Sequence, residues 1–389
     1  MRVLQVYRTY FPDTQGGLEE VIRQICLNSK QYGVESKVYT LAENPIPAVI
    51  DREEAEVIRV KKHFEVSSCS ISFTGFKQFR ELVEWADVIH FHFPWPFGDL
   101  LRLMNRIDKP TLVTYHSDIV RQKFLMHLYT PLMTNFLKSV GTIVCTSPNY
   151  FATSNVLTKY AEKVEVIPIG INPDSYPDVS ENLLHNIKAE FGEGFFLFVG
   201  VLRYYKGLHI LLDAIKSAPY KVVIVGCGPI EKELKEQAKR LKLTNVIFAG
   251  YVSDETKVAL FKLSRCVVFP SYLRSEAFGV TLLEGAMYSK PLISAEVGSG
   301  TSHVNIHGET GMVVTPGSHK SLREAMDHIY RNPEKAALLG NNARRRFEAL
   351  FTGEIMGEQY ANLYNQLVSK CIPWQNSILQ NPVTDRGMI

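Results

Sequence analysis

Two glutamates eight residues apart are the strongest chemical signal in the sequence: Glu276 lies in a loop pattern and Glu284 in the helical pattern that follows. Glu284 stands beside Leu282 and Leu283, where a buried carboxylate is costly unless a partner uses it. Gly279 marks the helix entrance, and helix N-termini bind anions. The set suggests a site for a phosphorylated sugar. A polar loop followed by a helix with one solvated glutamate explains the spacing equally well.

Two basic residues, Arg203 and Lys206, stand three apart in a loop that closes a strand-like run. An arginine fork and a lysine point charge suit a diphosphate, although two such residues alone are more often simply solvated. The sequence contains no Asp-x-Asp, the carboxylate pattern that commonly holds a nucleotide-sugar diphosphate through a metal. We therefore expect no metal and no cofactor, with these two cations and helix N-termini as counter-charges.

Glycines follow two strand patterns, Gly16-Gly17 near the N-terminus and Gly226-x-Gly228-Pro229 in the second half. Glycine lets the backbone approach a ligand closely, and ligands of parallel sheets bind beyond the carboxyl ends of strands. An ordinary tight turn is the alternative for each. Neither completes the Gly-x-Gly-x-x-Gly fingerprint, so a nicotinamide dehydrogenase is the least favoured enzyme.

Three histidines fall on or directly after strand patterns. His116 follows the run 111–115, so we expect it in the ligand cleft, bonding to sugar hydroxyls, with a structural role as the alternative. His90 and His92 flank Phe91 and share one face of a strand. No carboxylate or cysteine follows them at ligand spacing, so a structural or cleft-lining role is favoured over a metal pair.

Short apolar runs alternate with helical patterns along the whole chain, and this alternation predicts the elements that position these residues. Continuous Val/Ile/Phe runs are typical of strands buried on both faces in parallel sheets. Two rounds of the pattern predict an α/β protein with two doubly wound domains. The predicted strands are 3–7, 36–40, 88–91, 111–115, 142–145 and 164–167, then 195–199, 221–225, 246–248, 266–269, 291–293 and 311–314.

Pro/Gly/Asn punctuation after residue 167 predicts the domain boundary. We expect an N-terminal domain over 1–170, a linker near 169–190 and a C-terminal domain over 190–350. Helical patterns over 333–350 and 353–367 follow the second sheet, and the tail from residue 369 is expected to be peripheral or disordered.

Composition limits the class of protein. With 389 residues, 46% hydrophobic and 21% charged, the chain fits a soluble protein of two domains. A net charge of +3 argues against nucleic-acid binding. Six scattered cysteines predict neither disulfides nor a metal site. No signal peptide or long apolar span is found, so a cytoplasmic location is expected.

One apolar segment, 125–133, has basic flanks at Arg121, Lys123 and Lys138. It could lie at a membrane surface, but a buried core helix is the commoner origin of such a pattern.

Taken in order, these motifs resemble the retaining glycosyltransferases of family 4, over residues 1 to about 367. The resemblance implies the GT-B architecture: two Rossmann-like domains facing a central cleft, with a C-terminal helix (about 352–369) crossing back to the first. The matching motifs are Gly16-Gly17, His116, Gly200…Arg203…Lys206-Gly207, Gly226-x-Gly228-Pro229, Gly250-Tyr251-Val252, Glu276-x-Phe278-Gly279 with Glu284, and His307-Gly308-Glu309-Thr310-Gly311.

The resemblance also implies roles. Arg203 and Lys206 would hold the diphosphate of a nucleotide-sugar donor, Glu276 would bind the sugar, and His116 would touch the sugar near the reacting carbon. In the second domain, Glu284 would bind the ribose, Tyr251 and Val252 would flank the base, and Gly226 would form a turn near the ligand. The backbone amides of Phe278, Gly279 and Val280 would bind sugar and phosphate. In the first domain, Gly16 and Gly17 would approach phosphate and acceptor.

The family reaction retains the anomeric configuration. A double displacement needs a carboxylate nucleophile, and Asp13, Glu19 and Asp118 are unsupported candidates. We therefore favour same-face attack, in which the departing phosphate helps to deprotonate the acceptor.

The segment 115–123 resembles bacterial surface-polysaccharide mannosyltransferases. This implies GDP-mannose as donor, a lipid-diphosphate-linked oligosaccharide as acceptor, and a possible peripheral contact with the cytoplasmic face of the inner membrane. The alternatives are a UDP-sugar-dependent transferase, a sugar-nucleotide 2-epimerase, and an inactive scaffold in a polysaccharide complex.

Overall fold

The computed structural model describes residues 1–66, 69–119 and 123–371. In the described first half, strands are β1 (Arg2–Val6), β2 (Glu35–Ala42), β3 (Val49–Asp51), β4 (Glu56–Lys61), β5 (Phe64–Val66), β6 (Cys69–Ile71), β7 (Val88–Phe93), β8 (Thr111–Tyr115), β9 (Thr142–Cys145) and β10 (Val164–Val166). In the second half they are β11 (Phe196–Val199), β12 (Val222–Val225), β13 (Val246–Gly250), β14 (Cys266–Phe269), β15 (Leu292–Ala295) and β16 (Gly311–Val314).

Helices cover the faces of both sheets. They are α1 (Gly17–Ser29), α2 (Gly75–Trp85), α3 (Pro96–Met104), α4 (Lys123–Ser139), α5 (Pro148–Thr153), α6 (Glu181–Phe191), α7 (Leu208–Ala214), α8 (Glu231–Arg240), α9 (Asp254–Leu263), α10 (Val280–Met287), α11 (Thr301–Val304), α12 (His319–Arg331), α13 (Pro333–Leu350) and α14 (Gly353–Cys371).

The first sheet has the strand order β10-β9-β8-β7-β1-β2-β4-β3. Its pairings are parallel except for β3 with β4. The strand order reverses between β1 and β7, and ligands of such sheets bind beyond the carboxyl ends of the strands at this switch point. The loops after β1, β7 and β8 meet there. β5 and β6 form a separate antiparallel hairpin.

The second sheet is parallel throughout, in the order β13-β12-β11-β14-β15-β16. Its switch point lies between β11 and β14, so the loops that follow these two strands flank the expected ligand crevice. Strands β11, β12, β14 and β15 are buried along their whole length. This burial explains why they read as continuous apolar runs. The fold is thus α/β, with two Rossmann-like sheets.

The chain crosses between the two sheets twice, and the two crossings touch. The Ile171 amide donates to the Phe351 carbonyl at 3.0 Å, and the Gly353 amide donates to the Ile171 carbonyl at 2.8 Å. A β-carbon on Gly170 would lie 2.2 Å from the Thr352 carbonyl oxygen, so the crossings are in backbone contact. Beyond the second crossing, α14 packs against α1 of the first domain.

All twelve predicted strands are present, with ends shifted by up to two residues, and the expected return of the last helix is confirmed. Strands β3 to β6 were missed, because they are short and partly exposed and so lack a continuous apolar run. The segment expected to be a linker contains α6.

Helix α4 packs on the first core along one face: Met133, Phe136 and Leu137 are buried and Met126 and Tyr129 are partly buried, whereas Leu128 is 74% exposed. Arg121, part of its predicted basic flank, lies outside the described residues, as does the tail beyond residue 371. Within the described ranges, no helix combines the length and apolar character needed to cross a membrane.

Candidate functional site

A buried ion pair spans the switch point of the second sheet. Lys206, in the loop after β11, bonds to Glu276, in the loop after β14. Ser271 donates a second hydrogen bond to Glu276 at 3.0 Å, and the Lys206 ammonium lies 4.6 Å from the Phe269 ring centroid. Both contacts use Oε2 of Glu276 and leave Oε1 out of this set. Two predicted site residues are therefore brought together.

Glu284 lies on α10 and is only 6% exposed. Its Oε1 accepts a hydrogen bond from Tyr176 at 3.2 Å and lies 3.2 Å from the Lys257 ammonium. Burial and the nearby Glu284 raise the pKa of Tyr176 well above its usual value, so its hydroxyl stays protonated and donates. The Lys257 ammonium and the Tyr176 hydroxyl thus stabilise the Glu284 carboxylate on a helix that is otherwise apolar. No pattern in the sequence pointed to Tyr176 or Lys257 as a partner.

Arg203 is exposed at the first residue of the turn that carries Lys206. Burial raises the pKa of Tyr205 and of Tyr7, which lies directly after β1 in the first domain, and the Arg203 charge offsets a small part of each rise. Burial is the larger influence and raises the pKa of Tyr205 to about 12.

The loop after β14 ends at the N-terminus of α10. Gly279 is the N-cap with φ +94°, a conformation that glycine adopts readily. Phe278 is 3% exposed and packs edge-on to Phe351, so its side chain is part of the core and does not face a ligand. Val280 is half-buried and begins the helix, whose first amides lack intrahelical acceptors by geometry. This is a potential anion site.

The two glycine motifs differ in whether neighbouring atoms leave room for a side chain. A β-carbon on Gly226 would lie 2.1 Å from the Gly200 carbonyl oxygen, so packing between the loops after β11 and β12 excludes any larger residue. A β-carbon on Gly17 would meet nothing within 4 Å, and one on Gly16 would meet only the flexible end of Glu19. Packing alone therefore explains why residue 226 is glycine, but it does not explain why residue 17 is glycine.

Tyr251 and Val252 follow β13, two strands away from β11. The Tyr251 side chain is 77% exposed, whereas Val252 is half-buried against the core. Tyr251 is thus free to move onto a ligand, and Val252 is fixed.

In the first domain, His116 is the terminal member of a buried chain of hydrogen-bonded side chains. Its Nε2 lies 3.0 Å from Nδ1 of His92, whose Nε2 lies 2.8 Å from Oε1 of Gln5. Nε2 of Gln5 donates to the Tyr364 hydroxyl of α14 at 3.3 Å, and that hydroxyl lies 2.8 Å from Nδ1 of His90. The favoured structural role of His90 and His92 is confirmed by these contacts.

Burial keeps all three histidines neutral. Desolvation lowers the pKa of His116 to about 3. The pKa values of His90 and His92 are also lowered well below the usual range, first by burial and then by the neighbouring imidazoles. His116 is 6% exposed and can offer a ligand hydrogen bonds but no positive charge.

Sequence reasoning missed a bridge between the domains. Arg274, two residues before Glu276, lies 3.0 Å from Asp118, two residues after His116. Arg274 also bonds to Thr153 and to the Gly298 carbonyl. The bridge therefore ties together the loops that carry the two strongest candidate residues. A signal was present, since each partner stands two positions from a site residue.

Two of the three candidate nucleophiles are held by arginines. Asp13 accepts from Nε and Nη2 of Arg59 at 2.7 and 2.6 Å, and Asp118 accepts from Arg274. Glu19 accepts a bond from Thr14 at 2.9 Å. Over residues 1–66, 69–119 and 123–371, no group of three or more His, Cys, Asp or Glu side chains could hold a metal ion.

Two family models match the chain. Residues 15–175 match Glycosyltransferase Family 4, and residues 181–346 match Glycosyl transferases group 1. The D-rhamnosyltransferase WbpZ of Pseudomonas aeruginosa is 52% identical over 352 residues, covering 90% of this chain and 92% of the relative. The O-antigen chain mannosyltransferase C of Escherichia coli is 47% identical over 368 residues, covering 95% and 99%.

Solved structures agree in fold. Sucrose-phosphate synthase of Thermosynechococcus elongatus superposes with a TM-score of 0.78 at 22% identity, covering 95% of this chain and 99% of that one. HepE of Anabaena, in complex with UDP and glucose, gives 0.76 at 20% identity, covering 94% and 100%. By sequence and by fold, the chain belongs to glycosyltransferase family 4 and has the GT-B architecture.

Proposed function

We propose that the enzyme transfers mannose from GDP-mannose, with retention of configuration, to a lipid-diphosphate-linked oligosaccharide in O-antigen-type polysaccharide biosynthesis. The observation that carries the proposal is the buried Lys206–Glu276 pair beside the N-terminus of α10, at the switch point of the second sheet. The 47% identity with an O-antigen mannosyltransferase supports the choice of sugar and acceptor. A lipid-linked acceptor would bring the enzyme to the cytoplasmic face of the inner membrane.

The charges suggest how a donor binds. Lys206, Arg203 and the first amides of α10 would surround the diphosphate and stabilise the leaving group. Glu276 would direct Oε1, which neither internal contact uses, to sugar hydroxyls. Glu284 would direct Oε2, which its two internal contacts leave, to the ribose hydroxyls. Tyr251 would then cover the base.

The first domain would complete the site. Gly17 has room for a side chain that the protein itself does not fill, which supports a close approach of phosphate or acceptor at this turn. His116 would bond to a sugar hydroxyl as a neutral group. Because Asp13 and Asp118 are held by arginines, same-face attack, with the departing phosphate accepting the acceptor proton, remains the favoured mechanism. We propose that no metal or other cofactor takes part.

D-rhamnose is the second candidate sugar, because a D-rhamnosyltransferase is 52% identical to this chain. Rhamnose is a 6-deoxy form of mannose and would fit the same site without its 6-hydroxyl. Nothing in the pair of glutamates distinguishes the two sugars.

A donor panel tests the proposal. The purified enzyme is given a lipid-diphosphate-linked oligosaccharide and GDP-mannose, GDP-D-rhamnose, UDP-glucose or UDP-N-acetylglucosamine, with and without EDTA. We expect transfer from GDP-mannose that EDTA leaves unchanged, with the α-linkage retained by NMR of the product.

Other outcomes separate the alternatives. Transfer from GDP-D-rhamnose alone would select the second sugar, and transfer only from UDP-sugars would overturn the GDP assignment. A free epimerised sugar formed without acceptor would indicate an epimerase. Absence of nucleotide binding and of any transfer would indicate an inactive scaffold.

A further inference from the structure

The hydrogen-bonded chain that ends at His116 has one member that fixes its direction. Imidazoles and hydroxyls can each donate at one atom and accept at another, so they transmit a hydrogen bond in either sense. The amide of Gln5 cannot, because its oxygen only accepts and its nitrogen only donates. In the structure the oxygen of Gln5 faces His92 and its nitrogen faces Tyr364.

The direction on the His116 side follows from that amide. Nε2 of His92 must carry the proton that it donates to Oε1 of Gln5. A neutral His92 then has a bare Nδ1, which must accept from Nε2 of His116 at 3.0 Å. A neutral His116 with its proton on Nε2 has a bare Nδ1. The atom left for a ligand is therefore a hydrogen-bond acceptor.

The hydrogen bonds on the Tyr364 side of Gln5 have the same donor-to-acceptor direction as those on the His116 side. Because the Tyr364 hydroxyl accepts from Gln5, its own proton goes to Nδ1 of His90 at 2.8 Å. Nε2 of His90 then donates to Thr114 at 2.7 Å, and Thr114 donates to the Tyr360 hydroxyl at 2.9 Å. Each donor between His116 and Thr114 is used once. Both tyrosines belong to α14, which returns from the second domain.

His116 lies where a ligand would meet it. It follows β8, next to the strands that flank the switch point of the first sheet. Asp118, two residues on, is bonded to Arg274 of the loop that carries Glu276. A bare imidazole nitrogen at this position accepts from a hydroxyl and repels a phosphate or carboxylate oxygen.

We infer that the Gln5 amide, held by the Tyr364 hydroxyl of α14, sets the tautomer of His116 through His92. Nδ1 of His116 then accepts a hydrogen bond from a hydroxyl of the donor sugar. The ligand part of this inference rests on the proposed function, and the tautomer part does not. Gln5, His92 and Tyr364 are thus positioning residues: they act on the sugar only through His116.

Nitrogen-15 NMR of the histidine-labelled enzyme tests the tautomer without any substrate. The His116 signals are assigned by their loss in His116→Gln. We expect a protonated Nε2 and a bare Nδ1 in the wild type. A protonated Nδ1 would overturn the inference, whatever the enzyme transfers.

Tyr364→Phe tests the link to α14, and Tyr360→Phe is its matched control. Each variant deletes one buried hydroxyl of the same helix, but Tyr360 lies beyond Tyr364 at the far end from His116. Tyr364→Phe frees the Gln5 amide to turn, so we expect mixed His116 tautomers and a three- to tenfold lower kcat/KM, roughly the value of one hydrogen bond. Tyr360→Phe should keep the wild-type tautomer. A wild-type tautomer in both variants would overturn the role of α14.

Ligand titration tests the contact with the sugar. We expect GDP-mannose to shift the Nδ1 signal of His116 and GDP alone to leave it in place. Equal shifts with both, or none with a bound sugar nucleotide, would overturn the sugar contact. Binding of UDP-glucose in place of GDP-mannose would contradict the proposed donor, yet its effect on Nδ1 would still test this inference.

Discussion

The two walls of the cleft use different electrostatics. The neutral wall, formed by His116, His92 and Gln5, contains no formal charge and is a chain of buried hydrogen bonds. The charged wall contains two ion pairs, Lys206–Glu276 and Lys257–Glu284. Burial disfavours an imidazolium on the first wall, whereas opposite charges stabilise each other on the second.

The difference indicates a division of labour. A neutral acceptor distinguishes a hydroxyl from a phosphate oxygen, and the lowered pKa of His116 keeps it neutral near pH 7. Paired charges can instead exchange partners, so that a diphosphate can take Lys206 while a sugar hydroxyl takes Glu276. We expect substitutions on the charged wall to affect leaving-group stabilisation and those on the neutral wall to affect orientation of the sugar.

The largest effect is expected from Glu276→Gln, which removes one charge from the charged wall at constant shape. Loss of the group that we propose to contact the reacting sugar should lower kcat/KM by about 10²- to 10³-fold. Steady-state kinetics with saturating acceptor measures this, and circular dichroism checks folding. The control is Glu236→Gln on the exposed side of α8. A loss under threefold would show that Glu276 serves only its ion pair with Lys206.

An intermediate loss of activity is expected when the Arg274–Asp118 ion pair, which joins the two walls, is broken. Arg274→Gln and Asp118→Asn should each lower kcat/KM by about tenfold, because each breaks the bridge between the loops of Glu276 and His116. The double variant should lose no more activity than the more impaired single variant, which corresponds to a coupling of about 1.4 kcal/mol. Strictly additive losses would mean that the two residues act separately.

The smallest effect is expected on the free energy of unfolding, whose pH dependence reports on the buried His116 of the neutral wall. The folded-state pKa of His116 is about 3, below the 6.5 of an ordinary histidine. Between these values the unfolded chain binds this proton more tightly. His116 alone therefore lowers the free energy of unfolding as the pH drops below about 6.5, by up to about 1.4 kcal/mol per pH unit, and His90 and His92 add to the slope.

Urea unfolding at about pH 7 and about pH 5.5 measures this slope in the wild type and in His116→Gln. The variant should lose the share of His116 and keep the shares of His90 and His92, whose pKa values burial also lowers. Replacement of the exposed His185 by Gln is the control and should leave the slope unchanged. An unchanged slope in His116→Gln would mean that His116 is charged in the folded protein, and the contrast between the walls would fail.

The sequence predicted both sheets because their strands are buried on both faces and so read as apolar runs. It could not separate Gly17 from Gly226, since only the packed loops show that Gly226 is required by a neighbouring carbonyl. It placed His116 correctly after β8, but its partners remained hidden. Tyr364 is 274 residues from His90 in the chain, and no local pattern links residues so far apart.

The paired crossings between the domains have a mechanical consequence. One covalent connection behaves as a ball joint and leaves three rotations open. Two connections lying side by side, held by the backbone bonds of Ile171 to Phe351 and Gly353, behave as a door hinge with one axis. We expect each opening of the cleft to swing along a single arc. His116 and Glu276 would then return to the same alignment at every turnover, without either domain having to search for the other.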